Sequence, residues 1–229
     1  MAVYAAMVDR MDQNIGQLIA ALKANKQYDN TLIVFMSDNG GCAENVDNRN
    51  FNDKNVPIGA KGSYVTYDYP WANVSNTPFR KYKKFMHEGG MITPCIIQWP
   101  AKIKAKHGFN EGVGHIIDLL PTSLELAGVP INNLPGQSLS YLWNGKAKQP
   151  ETYFWEHVGN KAMRKGNWKI VKDVEDVAWE LYDMSMDMTE SNNLAKTNTA
   201  LLNQMIAEYE LWTKQNGVKV FVKGKNKAD

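Results

Sequence analysis

"TLIVFMSDNGG", residues 31–41, decides how this chain is read. Its first part is a run of strand-forming apolar residues without polar alternation, the pattern of a strand covered on both faces, as in a parallel sheet. It runs directly into Ser37, Asp38, Asn39, Gly40 and Gly41. An acid, an amide and two glycines at the end of a buried strand have two meanings. Asp-Asn-Gly-Gly is a good turn sequence. Asp38 and Asn39 are also hard-oxygen donors of the kind that Ca2+ or Mg2+ prefers. They stand at the carboxyl end of a strand, where ligands gather in open α/β sheets. The glycines would let the backbone leave without a side chain blocking the site. Two ligands do not complete a metal site, so both readings stand at this point.

Outward from that stretch, the preceding "MAVYAAMVDRMDQNIGQLIAALKAN" predicts a long amphipathic helix with Met7, Met11, Ile15, Leu18 and Leu22 on one stripe. A helix that begins so abruptly, with no strand before it to pack on, predicts further sequence upstream. Residues 40–80 read as a long polar loop rich in Asn, Asp, Gly, Pro and aromatics, a length that compact domains keep for function or leave disordered. "MITPCIIQWP", residues 91–100, is a second apolar strand closed by Pro100. "NEGVGHIIDLLPTSLELAGV", residues 110–129, predicts a helix with Pro121 starting or kinking a turn and Gly128 at its C-terminal cap.

Beyond about residue 130 the texture changes. "ETYFWEHV", "KAMRKGN", "WKIVKDV" and "WELYDM" are short, aromatic-rich, alternating segments separated by turn residues, and they predict a small antiparallel sheet. Trp155, Trp168 and Trp179 are expected in its core. "ALLNQMIAEYELWTKQNG" predicts a final helix with Leu201, Leu202, Met205, Ile206, Tyr209 and Trp212 inward and Gly217 ending it. The Lys-rich tail after Val222 is expected to be loose.

Composition narrows the function classes. The chain is 44% apolar and 22% charged over 229 residues, ordinary for globular protein and enough for one large domain or two modest ones. A net charge of +2 is too small to argue for a nucleic-acid or polyanion partner, and none is expected. No apolar run has the length of a membrane span, and the start lacks the pattern of a signal peptide. Cys42 and Cys95 offer at most one disulfide and lie outside any metal-finger spacing.

The second informative stretch is "NTPFRKYKKFMHEGGMITPCIIQWP", residues 76–100. Arg80, Lys81, Lys83, Lys84 and His87 crowd together before Glu88-Gly89-Gly90. Such a run is usually a solvated basic face; the alternative is an anion site, in which one lysine stabilises an oxyanion or a leaving oxygen. Glycine pairs again mark close backbone approach.

Taken together, "SDNGG", a long aromatic loop, "YKKFMHEGG" and "TPCIIQWP" in this order resemble the C-terminal portion of a type I, formylglycine-dependent arylsulfatase, of the alkaline phosphatase-like superfamily. The likeness continues through "GHIIDLLPTSLELAGV", "FWEHVGNKAMRKGNWKIV" and "WELYDMSMDMTESNNLA" and covers nearly the whole chain. It implies an α/β fold: the C-terminal part of the sulfatase sheet with flanking helices over residues 1–130, then a small subdomain of antiparallel sheet and helix over 131–229. It implies that Asp38 and Asn39 complete a calcium site, with Mg2+ as the alternative ion. Lys83, five residues before Glu88, matches the lysine that holds the substrate sulfate and assists its leaving oxygen; Lys81 and Lys84 miss that spacing. Glu88, Gly89 and Gly90 match positions that shape the loop.

The family's nucleophile, a formylglycine made from Cys or Ser in a C/S-x-P/A-x-R motif, has no counterpart in this chain. Cys42 is followed by "AENV" and Cys95 by "IIQW". The upstream aspartates of the metal site, a histidine and a second lysine are also outside it. His157 is a further candidate substrate contact. His115 and Asp118, three apart, match a packing helix and are expected to be structural. The resemblance therefore implies a fragment of a sulfuric ester hydrolase, inactive by itself, acting on a sulfate ester. It implies self-association or pairing with a complementary N-terminal half. A related metal-dependent phosphatase or phosphodiesterase and a non-catalytic sulfatase-like binding module remain open. Localisation is unread, although the family is often exported.

Overall fold

The computed structural model describes residues 1–45, 47, 50–103, 112–144 and 152–221. The expectations for the tail after Val222 and for Asn110 and Glu111 lie outside those residues. The first helix, α1 (Ala2–Ala24), forms as the periodicity predicts. None of it is buried, and the stripe residues Met7, Met11 and Leu18 are exposed.

The strand at the opening motif is β1 (Ile33–Met36), shorter and less covered than expected. Val34 is exposed and no residue of β1 is fully buried. The reason is pairing: among the described residues β1 joins a two-stranded sheet, so it lacks the neighbours that would cover it. The long polar segment after it is not all loop, because it contains α2 (Asp68–Asn76). The Asp68 carboxylate accepts the Tyr69 amide at 2.8 Å, and Pro70 falls in the first turn, where an amide hydrogen has no helical acceptor. A single turn, α3 (Glu88–Met91), takes the first residue of the second predicted strand, leaving β2 (Cys95–Gln98) as the partner of β1.

By contacts the chain divides into two units. One comprises Met1–Gly16, Phe35–Cys95 and Glu151–Asp229; the other comprises Gln17–Val34 and Ile96–Pro150. In the second unit the predicted helix starts late, at a 3-10 turn over Ile116–Asp118 that leads into α4 (Leu119–Leu126). His115 and Asp118 cap that start reciprocally: the imidazole accepts the Ile117 amide at 3.1 Å and the carboxylate accepts the His115 amide at 2.9 Å. Asp118 is fully buried and also accepts the Gln137 amide at 2.9 Å. The Thr122 hydroxyl donates to the Asp118 carbonyl and accepts the Leu139 amide. The structural role expected of this pair is what the geometry shows. Pro121 sits in the first turn of α4, and Gly128, with φ of +70°, ends it. A short α5 (Tyr141–Asn144) follows.

The first unit is organised by the sheet that alternation predicts: β3 (Thr152–His157), β4 (Asn160–Lys165), β5 (Trp168–Lys172) and β6 (Glu180–Asp183), antiparallel in that order. The register pairs Met163 with Ile170 and Ile170 with Leu181. These three bury one face against Met205 and Tyr209 of α6 (Thr199–Gln215). Leu201, Leu202, Ile206 and Trp212 pack on the same cluster, as do Trp168 and Trp179. The opposite face carries Ala162, Val171 and Tyr182, and packs with Met86, Met91 and Trp155. Period-two alternation places Lys169 and Asp173 on that second face, with Tyr182 opposite Lys169 and Glu180 opposite Val171.

Candidate active site

The two motifs touch through their backbones. Past β1, the Gly40 amide donates to the Gly90 carbonyl at 3.0 Å, and the Lys83 amide donates to the Gly41 carbonyl at 2.9 Å. The Asn76 side chain, at the end of α2, ties them further. Its oxygen accepts the Gly41 amide at 2.8 Å and its nitrogen donates to the Lys81 carbonyl at 3.1 Å. This approach is why glycines occupy both motifs. A Cβ on Gly40 would overlap the Gly89 carbonyl, and one on Gly89 would overlap the carbonyls of Arg80 and Lys81. The residues 37–41 and 80–90 therefore form one close-packed backbone layer, with Ser37 held in addition by the Thr93 hydroxyl at 3.1 Å.

Asp38 is exposed and Asn39 half-buried on that layer. Their oxygens are the right chemistry for a hard divalent cation. They would supply two of its ligands, and among the described residues no cluster of three or more His, Cys, Asp or Glu completes the shell. The donor set fits part of a calcium or magnesium site.

The basic run is sorted by its partners. Lys81 pairs with Asp173 at 3.2 Å and lies over the Phe85 ring, 4.6 Å from its centre. Lys84 is exposed, with φ of +90°. Arg80 donates to the Tyr182 hydroxyl at 2.8 Å and to the Glu190 carbonyl at 2.6 Å. Lys83 is half-buried, and its ammonium has no ion-pair partner among the described residues. His157 is exposed at the end of β3. The buried Asn160 amide donates at 3.2 Å both to the His157 carbonyl and to the Lys84 carbonyl, which ties the hairpin to the lysine segment. The backbone thus brings residues 38–41 and 83 side by side, with residue 157 linked to the same segment. Cys42 and Cys95 are both free thiols.

A set of buried charges beneath the lysine segment is not foreshadowed by its motif. The fully buried Lys169 ammonium lies 2.6 Å from Glu88 and 2.7 Å from Glu190. Glu190 also accepts the Glu88 amide at 2.8 Å. His87 is buried between two acids: Nε2 is 2.8 Å from Glu180, and Nδ1 is 3.3 Å from Asp173, an ion-pair contact bent away from hydrogen-bond geometry. Burial alone would depress the imidazole, but these two acids and the charge of Glu190 outweigh it and hold it above its ordinary value. Burial acts to raise Asp173, yet His87 and Lys81 hold it below the usual carboxylate range. Glu180 is likewise held low, chiefly by its hydrogen bond to His87. The signal that could have exposed this set is the alternation of "WKIVKD", which puts Lys169 on the same face as Val171. Asn76 and Asn160 carry no comparable signal.

Residues 1–129 match the family model described as Sulfatase, and residues 79–216 match that described as N-sulphoglucosamine sulphohydrolase, C-terminal. An uncharacterised sulfatase of Schizosaccharomyces pombe is 35% identical over 95% of this chain and 44% of its own length. An arylsulfatase of Klebsiella aerogenes is 37% identical over 58% of this chain and 30% of its own. The crystal structure of Ps i-CgsB superposes with a TM-score of 0.67 at 32% identity, covering 92% of this chain and 42% of that one. The chain spans less than half the length of the curated relatives it matches. Among the described residues no helix is long and apolar enough to cross a membrane.

Proposed function

This chain belongs to the sulfatase family, and on that premise we propose that it supplies the sulfate-holding lysine and part of the cation site of a sulfuric ester hydrolase. The observation that carries the reading is the pair of backbone hydrogen bonds, Gly40 to Gly90 and Lys83 to Gly41, which bring the acid-amide pair and the lysine onto one layer. Lys83 and Lys84 are the cations of the run without an ion-pair partner among the described residues, and of the two Lys83 is half-buried with its backbone on the opening motif, so its charge is the one offered to a sulfate oxygen. As the ester bond breaks, negative charge grows on the leaving oxygen, and a fixed ammonium stabilises that charge more than it does the ground state. Asp38 and Asn39 would hold a calcium ion, which when bound would polarise the sulfate. Asn76 and the glycines fix the spacing of these groups, and His157 would contact the substrate from the hairpin. The attacking formylglycine lies outside this chain, because neither cysteine stands in the convertible motif.

The test is turnover of an aryl sulfate with calorimetry of calcium binding. The purified chain alone is expected to show no turnover. In the complete enzyme, Asp38→Ala should lower calcium affinity and turnover together. Turnover by the isolated chain, or unchanged calcium affinity in the variant, would overturn the assignment.

A further inference from the structure

We propose that His87 is the positioning residue for Lys83: a protonated imidazole, set between an acid on β6 and one just past β5, holds the 80–90 segment where Lys83 meets the opening motif. The proposal builds on the site reading above but rests on its own geometry. His87 is 1% exposed, and both ring nitrogens face carboxylates, Nε2 that of Glu180 on β6 and Nδ1 that of Asp173 just past β5. An imidazole with an acid on each side satisfies both only when both nitrogens carry hydrogen.

The surrounding charges require the same proton. Arg80, Lys81 and Lys169 are the permanent cations of the cluster, and Glu88, Asp173, Glu180 and Glu190 are its carboxylates. Three positive charges against four negative ones leave the cluster one cation short, and the imidazolium supplies the fourth. The Tyr182 hydroxyl, bonded to Arg80, is the remaining polar group facing this cluster from β6.

The mechanical path from the ring to the site is short. The His87 carbonyl accepts the Gly90 amide at 2.9 Å, and the Gly90 carbonyl accepts the Gly40 amide at 3.0 Å. The Gly89 amide donates to the Arg80 carbonyl at 2.8 Å, closing the loop within which Lys83 lies. Loss of the proton leaves the ring able to satisfy one acid and not the other. The loop then loses one of its ties to the sheet, and the Lys83–Gly41 contact opens more readily.

The sign follows from linkage. The imidazole is raised on folding, so its contribution is complete below the unfolded value of about 6.5 and is lost as pH rises through the folded value. Asp173 and Glu180 are lowered, so their contribution is present above the ordinary carboxylate range and is lost only in acid.

The experiment is amide hydrogen exchange on the 229-residue chain, with protection corrected for the intrinsic rate at each pH. Protection of the Lys83 and Gly40 amides should fall by up to about tenfold per pH unit above pH 6.5 and then level off. His87→Gln should abolish the step. Asp173→Asn should move it to lower pH, in parallel with the imidazole titration read by NMR in the same sample. A flat profile in the native chain, a step that survives in His87→Gln, or an unshifted midpoint in Asp173→Asn would each overturn the proposal. None of these readouts involves sulfate or turnover, so failure of the sulfatase reading would leave this result standing, and the reverse.

Discussion

Lys83 and Lys84 are neighbours in sequence with opposite circumstances. Lys83 sends its amide into Gly41 and is half-buried; Lys84 is exposed in a left-handed turn, with its carbonyl held by Asn160. A charge preorganised beside reacting oxygens commonly contributes a few kcal/mol to lowering a barrier. Lys83→Ala in the complete enzyme should therefore slow turnover by about 10²-fold or more, and Lys84→Ala by far less, as read by steady-state kinetics on an aryl sulfate. Equal effects would mean that the spacing from Glu88 picks the wrong lysine. The spacing itself was legible in the sequence, because a glycine pair marks where backbones must touch. What it could not tell was which backbone is met. Gly40 meets Gly89 through space, 49 positions further along the chain, and only the fold brings them together.

Among elements, α6 and the four-stranded sheet were the most legible, because helical and alternating periods persist there over enough residues to select one face. Met205 is 1% exposed on the inward face of α6, whereas Leu211 is 56% exposed on the same helix. Met205→Ala should cost about 2–5 kcal/mol, and Leu211→Ala within about 0.5 kcal/mol, both measured by urea unfolding. Comparable losses would mean that the helix is rotated from this packing. The elements that misled were those whose partners decide their state. "TLIVFMS" has the composition of a fully covered strand, but cover depends on neighbours that local sequence does not name. "DYPWANVSN" has too little apolar periodicity to announce α2, and its local signals are an acid and a proline in the first turn. The buried charges were hidden for a related reason. A lysine at an alternating position is usually solvated, and Lys169 is buried only because Glu88 and Glu190 meet it there.

For the molecule as a whole, α1 exposes Met7, Met11 and Leu18, and β1 pairs with one strand among the described residues. Exposed apolar stripes and strand edges both favour association. The purified chain is expected to self-associate, or to pair with a complementary polypeptide carrying the other part of the sulfatase fold; sedimentation should show species above the monomer mass. A stable monomer across micromolar concentrations would refute that expectation. The buried charges have a consequence for how such a chain is made. His87 reaches Glu180 across 93 positions, and Glu88 reaches Glu190 across 102. At roughly 5–20 residues per second, a ribosome takes about 5–20 s to travel between those partners. For that interval the nascent segment around Lys83 carries its charges without the acids that will seat them, so this part of the site stays incomplete until the segment bearing Glu180 and Glu190 has left the exit tunnel.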